Sequence, residues 1–331
     1  MRVGLIDVDG RKFPNLALMK ISTYHKSRGD KVEFVDPMFG KYDVCYASKV
    51  FNFSKDIDYC TDCEIIKGGT GYDVHSRLPR YMEYLQPDYS LYGVDDDYAY
   101  GFVTRGCPNH CKWCVVPIKE GVIRPYMTID DITQQGKRNH IILMDNNILA
   151  SDFGISQLIE VCEKGYYIDI NQGNEAKRVT KDIAELFARI NFINGVIRFA
   201  ADTPAEVDNV INAINMIDKE REKIGKSKRQ YLIYTMIYGD IQQCYDRVSR
   251  FRGISNVRVF AQPFRDVNKP NEIPQWQKDF ARWCNVRNLF FKIDFKDLET
   301  RKGVYGRMYF ESTSVRINHY GYGVKMFLGG V

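Results

Sequence analysis

Apolar residues recur along this chain in two alternating textures, short continuous runs and longer stretches with one apolar face. Val3 to Val8 is such a run, the pattern of a strand covered on both sides, and Asp7-Val8-Asp9-Gly10 closes it as a polar turn. Asn15 stands where it can cap a helix carrying Leu16, Leu18, Met19 and Ile21, and Gly29 can end that helix. Lys31 to Asp36 alternates with a period of two before Pro37. Asp43 to Ser48 and Glu64 to Lys67 are two more strand segments, the last closed by Gly68-Gly69-Thr70-Gly71. A small parallel α/β unit is expected over residues 1–86. The polar, turn-rich stretch 87–98 reads as a linker. Six strand segments follow at 99–104, 140–145, 167–171, 195–200, 230–237 and 256–261, with amphipathic helices expected at 128–135, 154–164, 180–190, 204–219 and 241–250. Six βα units predict a parallel sheet curved into a partial (β/α)6 TIM-type barrel over 99–270, which would gather functional side chains where the strands end. In the remainder, 271–331, Trp276, Phe280 and Trp283 recur at helical spacing and read as core, ahead of a basic, aromatic tail.

Composition narrows the setting. Of 331 residues, 44% are hydrophobic and 27% charged, values of a globular protein. No run of 18 apolar residues and no charged-then-apolar leader is visible, so neither a membrane span nor a signal peptide is expected. Nine cysteines, an odd number scattered through the chain, argue against a secreted disulfide framework and point to the cytoplasm. Cys162, Cys244 and Cys284 fall on expected helices and read as packing. The net charge is +5, and from Thr300 onward Arg301, Lys302, Arg307, Arg316 and Lys325 oppose Glu311 alone. Tyr305, Tyr309, Phe310, Tyr320, Tyr322 and Phe327 are interleaved with them. Such a tail suits either phosphate and base contacts or a hairpin packed on the core.

The chemistry concentrates in Thr104-Arg105-Gly106-Cys107-Pro108-Asn109-His110-Cys111-Lys112-Trp113-Cys114. Three thiolates this close can converge on one soft metal centre, and three protein ligands leave an iron open to an exogenous ligand. The competing reading is a zinc knuckle with His110 as fourth ligand, although no second Cys/His pair stands at zinc-finger distance downstream. Cys107-x-x-x-Cys111-x-x-Cys114, with Trp113 before the last cysteine, resembles the signature of the radical S-adenosylmethionine (radical SAM) superfamily. The resemblance implies a 4Fe–4S cluster on Cys107, Cys111 and Cys114 and SAM as cosubstrate, cleaved reductively to a 5′-deoxyadenosyl radical. It also implies an external electron donor such as flavodoxin or ferredoxin.

Residues 13–18, 29–36 and 67–70 resemble the Rossmann-like, cobalamin-binding-type domain that precedes many radical SAM barrels. No Asp-x-His-x-x-Gly stretch follows a strand here, and His25 and His75 lie elsewhere. The reading therefore favours a domain without cobalamin. Cys45, Cys60 and Cys63 resemble, loosely, the second-cluster cysteines of methylthiotransferases, but their spacing differs, and Cys45 inside a strand reads as a small hydrophobe.

The ends of the later strands supply candidate SAM contacts. Asp145 and Asn147 stand where radical SAM barrels often carry Gly-Gly-Glu, which receives the SAM amine; an Asx turn accounts for the same residues. Gln172 and Arg178, after the third strand, are candidates for the ribose and carboxylate. Asp202 can contact SAM or substrate, or mark the start of the next helix before Thr203-Pro204. Trp113 completes the cofactor-binding set, and no catalytic residue is singled out. The expected activity is hydrogen abstraction from a substrate at the barrel mouth, with the basic tail leaning towards nucleic acid. The alternatives are a cobalamin-dependent radical SAM methyltransferase, a methylthiotransferase-like RNA-modifying enzyme, and a non-enzymatic metal-binding module for nucleic acid.

Overall fold

The computed structural model describes residues 1–36, 40–56, 63–111, 113–265 and 272–311. Cys60, Lys112 and the tail residues Arg316, Tyr320, Tyr322, Lys325 and Phe327 lie outside them. The chain is mixed α/β with parallel sheets. The first sheet contains β1 (Arg2–Asp7), β2 (Lys31–Phe34), β3 (Val44–Ser48) and β4 (Ile65–Gly68), all parallel, in the order β2-β1-β3-β4. Helix α1 (Leu16–Ser27) connects β1 to β2, and the Asn15 side chain caps it by accepting from the amides of Ala17 and Leu18. Val3 and Leu5 pack with Leu18 and Ile21 on one face of β1, and Ile6 packs with Val35, Cys45 and Ala47 on the other. Burial on both faces explains the unbroken apolar run. His25 is buried within α1 between Asp30 (2.7 Å) and Tyr46 (3.1 Å). Cys45 is fully buried in β3, with its Sγ 3.3 Å from that of Cys63.

After α2 (Arg80–Glu83), residues 87–98 are fixed to both neighbouring sheets. The Tyr92 hydroxyl donates to Asp7 of β1 (2.6 Å), and the buried Tyr89 hydroxyl accepts from the Tyr100 amide (2.9 Å). The elements that follow are β5 (Tyr98–Gly101), β6 (Thr104–Arg105), α3 (Val116–Lys119), β7 (Arg124–Pro125), α4 (Ile129–Thr133) and β8 (His140–Leu143). Next come α5 (Asp152–Lys164), β9 (Tyr167–Ile170), α6 (Lys181–Arg189), β10 (Asn191–Phe192), β11 (Val196–Ala200) and α7 (Pro204–Lys223). The series ends with β12 (Gln230–Ile237), α8 (Ile241–Ser249), β13 (Val257–Pro263), α9 (Gln275–Asn285) and α10 (Arg287–Lys292).

Two parallel sheets result, β10-β9-β8-β5 and β11-β12-β13. A parallel bridge between Asn174 and Phe199 links them, and Asn194, at φ 54°, breaks the chain between β10 and β11. Strands therefore follow one another in chain order, all but β11 reached through a helix, so that their C-terminal ends share one edge. One core runs beneath, from Ala99 and Ile141 through Phe187 and Ile233 to Phe280 and Trp283. Cys244 and Cys284 are buried in it and Cys162 packs against it. No helix among the described residues is long and apolar enough to cross a membrane.

The first expected strand of this series departs from the pattern. It pairs in parallel only as far as Gly101, and Thr104–Arg105 instead forms a short antiparallel ribbon with Arg124–Pro125. The cause is a side chain: the amides of Val103 and Thr104 donate to the Asp145 carboxylate (3.0 and 2.5 Å) in place of a strand partner.

Candidate metal and cofactor site

The cysteine loop, 106–123, begins at the C-terminal end of the first parallel strand and is closed by the β6–β7 ribbon. Arg105 and Glu120 clamp its two ends, with Arg105 Nε 3.0 Å from Glu120 Oε2, and the Cys107 amide donates to the Gly121 carbonyl (3.2 Å). Gly106 has φ +90°, and a Cβ there would lie 2.3 Å from the Val122 carbonyl oxygen. Only glycine takes this entry turn without strain.

Glu175 ties this loop to the ends of β8 and β9. Its Oε1 accepts from Asn109 Nδ2 (2.8 Å) and its Oε2 from Asn147 Nδ2 (2.9 Å). Asn147 Nδ2 also lies 3.6 Å from Cys107 Sγ. Lys177 (2.7 Å) and Arg178 complete the partners of the carboxylate. Burial pushes the Glu175 carboxyl up, but the hydrogen bonds from Asn147, Lys177, Arg178 and Asn109 outweigh it and hold the group down at about 2. The sequence reading passed over Glu175 in favour of its neighbours Gln172 and Arg178. The missed signal was an acid directly after a strand-end Asn-Gln-Gly-Asn turn.

The other candidates separate into distinct groups. Asp145 is fully buried and directed into the protein, where it accepts from Val103, Thr104 and the Thr104 hydroxyl (2.7 Å). Burial raises its carboxyl to about 6 against those hydrogen bonds. Asp202 accepts from the Met236 amide (2.7 Å), tying the end of β11 to β12, and burial raises its carboxyl. Thr203 and Glu206 form the capping box of α7, so the helix-start signal belongs to them. Gln172 is exposed on the turn after β9. Arg178 is held by Glu175, and Trp113 packs on Tyr238, their ring centroids 5.1 Å apart. Tyr238 in turn lies 6.4 Å from Phe264 at the end of β13. The loop after β3 reaches the same edge, where Arg265 lies 4.1 Å over the ring of Phe53.

Among the described residues, no three His, Cys, Asp or Glu side chains are drawn together at metal-holding geometry. The chemistry of the loop nonetheless fits a cationic centre. Burial raises the Cys111 thiol, and the charges of Cys114, Cys107, Glu206 and Asp202 raise it further. Burial likewise raises Cys114, with Cys107 adding to it. Thiolates disfavoured by burial and mutual repulsion are the groups that a bound metal stabilises. Among the described residues, Asn147 Oδ1, beside Cys107, is buried without a hydrogen-bond partner, the mark of a site with a polar group still to receive.

No protein-family model matches the chain, and no curated protein matches it. Among solved structures it is similar to the radical S-adenosylmethionine methyltransferase TsrM from Kitasatospora setae, determined with tryptophan substrate and the SAM analogue aza-SAM bound. The identity is 10% and the TM-score 0.58, over 79% of this chain and 72% of that one. At this identity the likeness is one of fold.

Proposed function

We propose that the chain is a radical SAM enzyme, in which Cys107, Cys111 and Cys114 would hold a 4Fe–4S cluster and SAM would bind over the strand ends. The observation that carries this reading is the placement of the three-cysteine loop. It leaves the first strand of a series of chain-ordered parallel strands at their C-terminal edge, and Asn109 ties it through Glu175 to Asn147. In this reading residues 1–86 form a Rossmann-like domain and 99–270 a partial (β/α)6 barrel, a division favoured by the separate parallel sheet β2-β1-β3-β4 ahead of the strand series β5 to β13. The cluster, when bound, supplies the electron that cleaves SAM reductively to a 5′-deoxyadenosyl radical, which abstracts hydrogen from the substrate. The residues of this chain position and shield. Glu175 holds the loop against the strand ends, Asn147 Oδ1 offers an acceptor for the SAM amine, and Arg178 a cation for its carboxylate. Trp113 and Tyr238 provide an aromatic wall that excludes water. The electron would come from a donor such as flavodoxin or ferredoxin, in the cytoplasm.

Anaerobic reconstitution with iron and sulfide tests the assignment. One cluster per chain and 5′-deoxyadenosine released from SAM under dithionite are expected, and Cys107→Ala, Cys111→Ala and Cys114→Ala should each lose the cluster. Stoichiometric zinc without SAM cleavage would instead support a metal-binding module. The fold likeness to a methyltransferase favours methyl transfer as a second reading. A protein that retains cobalamin through purification and methylates its substrate would establish it.

A further inference from the structure

A second site lies at the other end of the parallel strands. The turn before β13 and helix α10 form an open cleft of about 320 Å³, lined by Arg252, Ser255, Arg287, Asn288, Phe291 and Lys292. Ser255 stands just before the first residue of β13, whereas the cysteine loop leaves the final residues of β5. The cleft is therefore on the opposite edge from the candidate cluster. Every charged side chain in the lining is a cation. Arg252 is fixed in place, with Nη1 3.0 Å from Asp294 Oδ2, Nη2 donating to the Ile293 carbonyl (3.2 Å), and its guanidinium 5.6 Å over the Trp283 ring. Arg287 and Lys292 are exposed, and among the described residues neither has a carboxylate within 4.0 Å. Arg252 is balanced by Asp294, so the surplus positive charge comes from Arg287 and Lys292, and a concave surface carrying these two cations concentrates negative charge. The Ser255 hydroxyl and the Asn288 amide add uncharged hydrogen-bonding groups, and beside them is the half-buried ring of Phe291, with the Arg287 guanidinium 5.7 Å over one side of it, which leaves its other side as the apolar wall.

We propose that this cleft binds a nucleoside phosphate, its phosphate among Arg252, Arg287 and Lys292 and its base against Phe291. The volume argues for more than a bare anion, since it reaches the lower end of the range of small-molecule sites, roughly 300 Å³. Planar guanidinium groups suit phosphate oxygens, and a π-face suits any base. The same chemistry is presented by a free nucleotide and by the phosphorylated end of a single-stranded nucleic acid.

Calorimetric titration of the full chain tests this with AMP, adenosine, inorganic phosphate and a 5′-phosphorylated single-stranded oligonucleotide as probes. AMP should bind saturably and more weakly as salt rises, and adenosine and phosphate should each bind more weakly than AMP. In the double variant Arg287→Glu/Lys292→Glu the AMP affinity should fall on the order of ten-fold or more, the loss expected for a charged hydrogen bond. Both positions are exposed, so folding is retained, and Lys292→Arg should bind as the parent does. An oligonucleotide that binds tighter than AMP, and is lost in the same double variant, identifies a nucleic-acid end as the source. An oligonucleotide that binds more weakly than AMP identifies the free nucleotide. The proposal is overturned by absence of saturable AMP binding up to about 1 mM, a binding free energy of about −4 kcal/mol. It is equally overturned if adenosine or phosphate binds as tightly as AMP, or if the double variant keeps its affinity, since the nucleotide would then sit elsewhere. None of these measurements needs the cluster, so their failure leaves the radical SAM reading untouched.

Discussion

Replacing Glu175 by alanine removes one carboxylate and leaves four donors without their acceptor. Lys177 and Arg178, 53% and 31% exposed, recover water at little cost. The amide of Asn147 does not, because the residue is 3% exposed. An unsatisfied buried donor costs about 1–3 kcal/mol, and the half-buried Asn109 adds a fraction of that, so the variant should lose roughly 1–4 kcal/mol. Glu175→Gln keeps the volume but turns an amide donor towards Asn109 or Asn147, and should lose about half as much. The loss acts where the cysteine loop is anchored, so iron retained after anaerobic reconstitution should fall with it. Acid provides an internal check. A carboxyl held at about 2 contributes stability that is present above its unfolded value of about 4.3 and is lost as pH falls towards 2. That difference corresponds to at most about 3 kcal/mol and, after solvent screening, roughly 1–2 kcal/mol. Urea unfolding of the apo-protein from pH 6 to 3, compared with Glu175→Gln, reads it directly: the gap between the two proteins should close on the acid side. A Glu175→Ala protein with parental unfolding free energy and full iron content would refute the role assigned to this network.

Three further outcomes are expected. Asp145 carries the opposite sign: its carboxyl is raised to about 6, so the stability it contributes is present below about pH 4 and is lost as pH rises through 6. The stability difference between parent and Asp145→Asn, measured by urea unfolding from pH 4 to 7, should therefore shrink as pH rises, and a constant difference would contradict the burial seen here. Gly106→Ala places a Cβ against the Val122 carbonyl at positive φ and should cost about 1–3 kcal/mol in strain, with lowered iron content after reconstitution as the readout. Trp113→Ala removes the ring that packs on Tyr238, and under the proposed radical SAM function it should weaken SAM binding about ten-fold by calorimetry, the scale of an aromatic contact together with its buried area.

The sequence by itself determined what periodicity and local chemistry encode. The continuous apolar run of β1, the Asn15 cap and the alternation of strands with amphipathic helices from β8 to β13 are all local patterns. Each element fell within a few residues of its expected place for that reason. The cysteine motif was legible because its three cysteines lie within eight residues of one another. Only the tertiary structure decided how the strand-end polar residues are used. Asp145, Asp202 and Glu175 are equivalent as acids following strands, but their environments differ. Asp145 is buried against two backbone amides, Asp202 holds β12, and Glu175 alone reaches the cysteine loop. Which donors meet a carboxylate depends on segments more than 30 residues away, as with Asn109 and Met236, and no spacing rule carries that information. The same holds for the cationic cleft, whose charges come from a turn and a helix more than 30 residues apart and become one site only when the tertiary fold brings that turn beside α10.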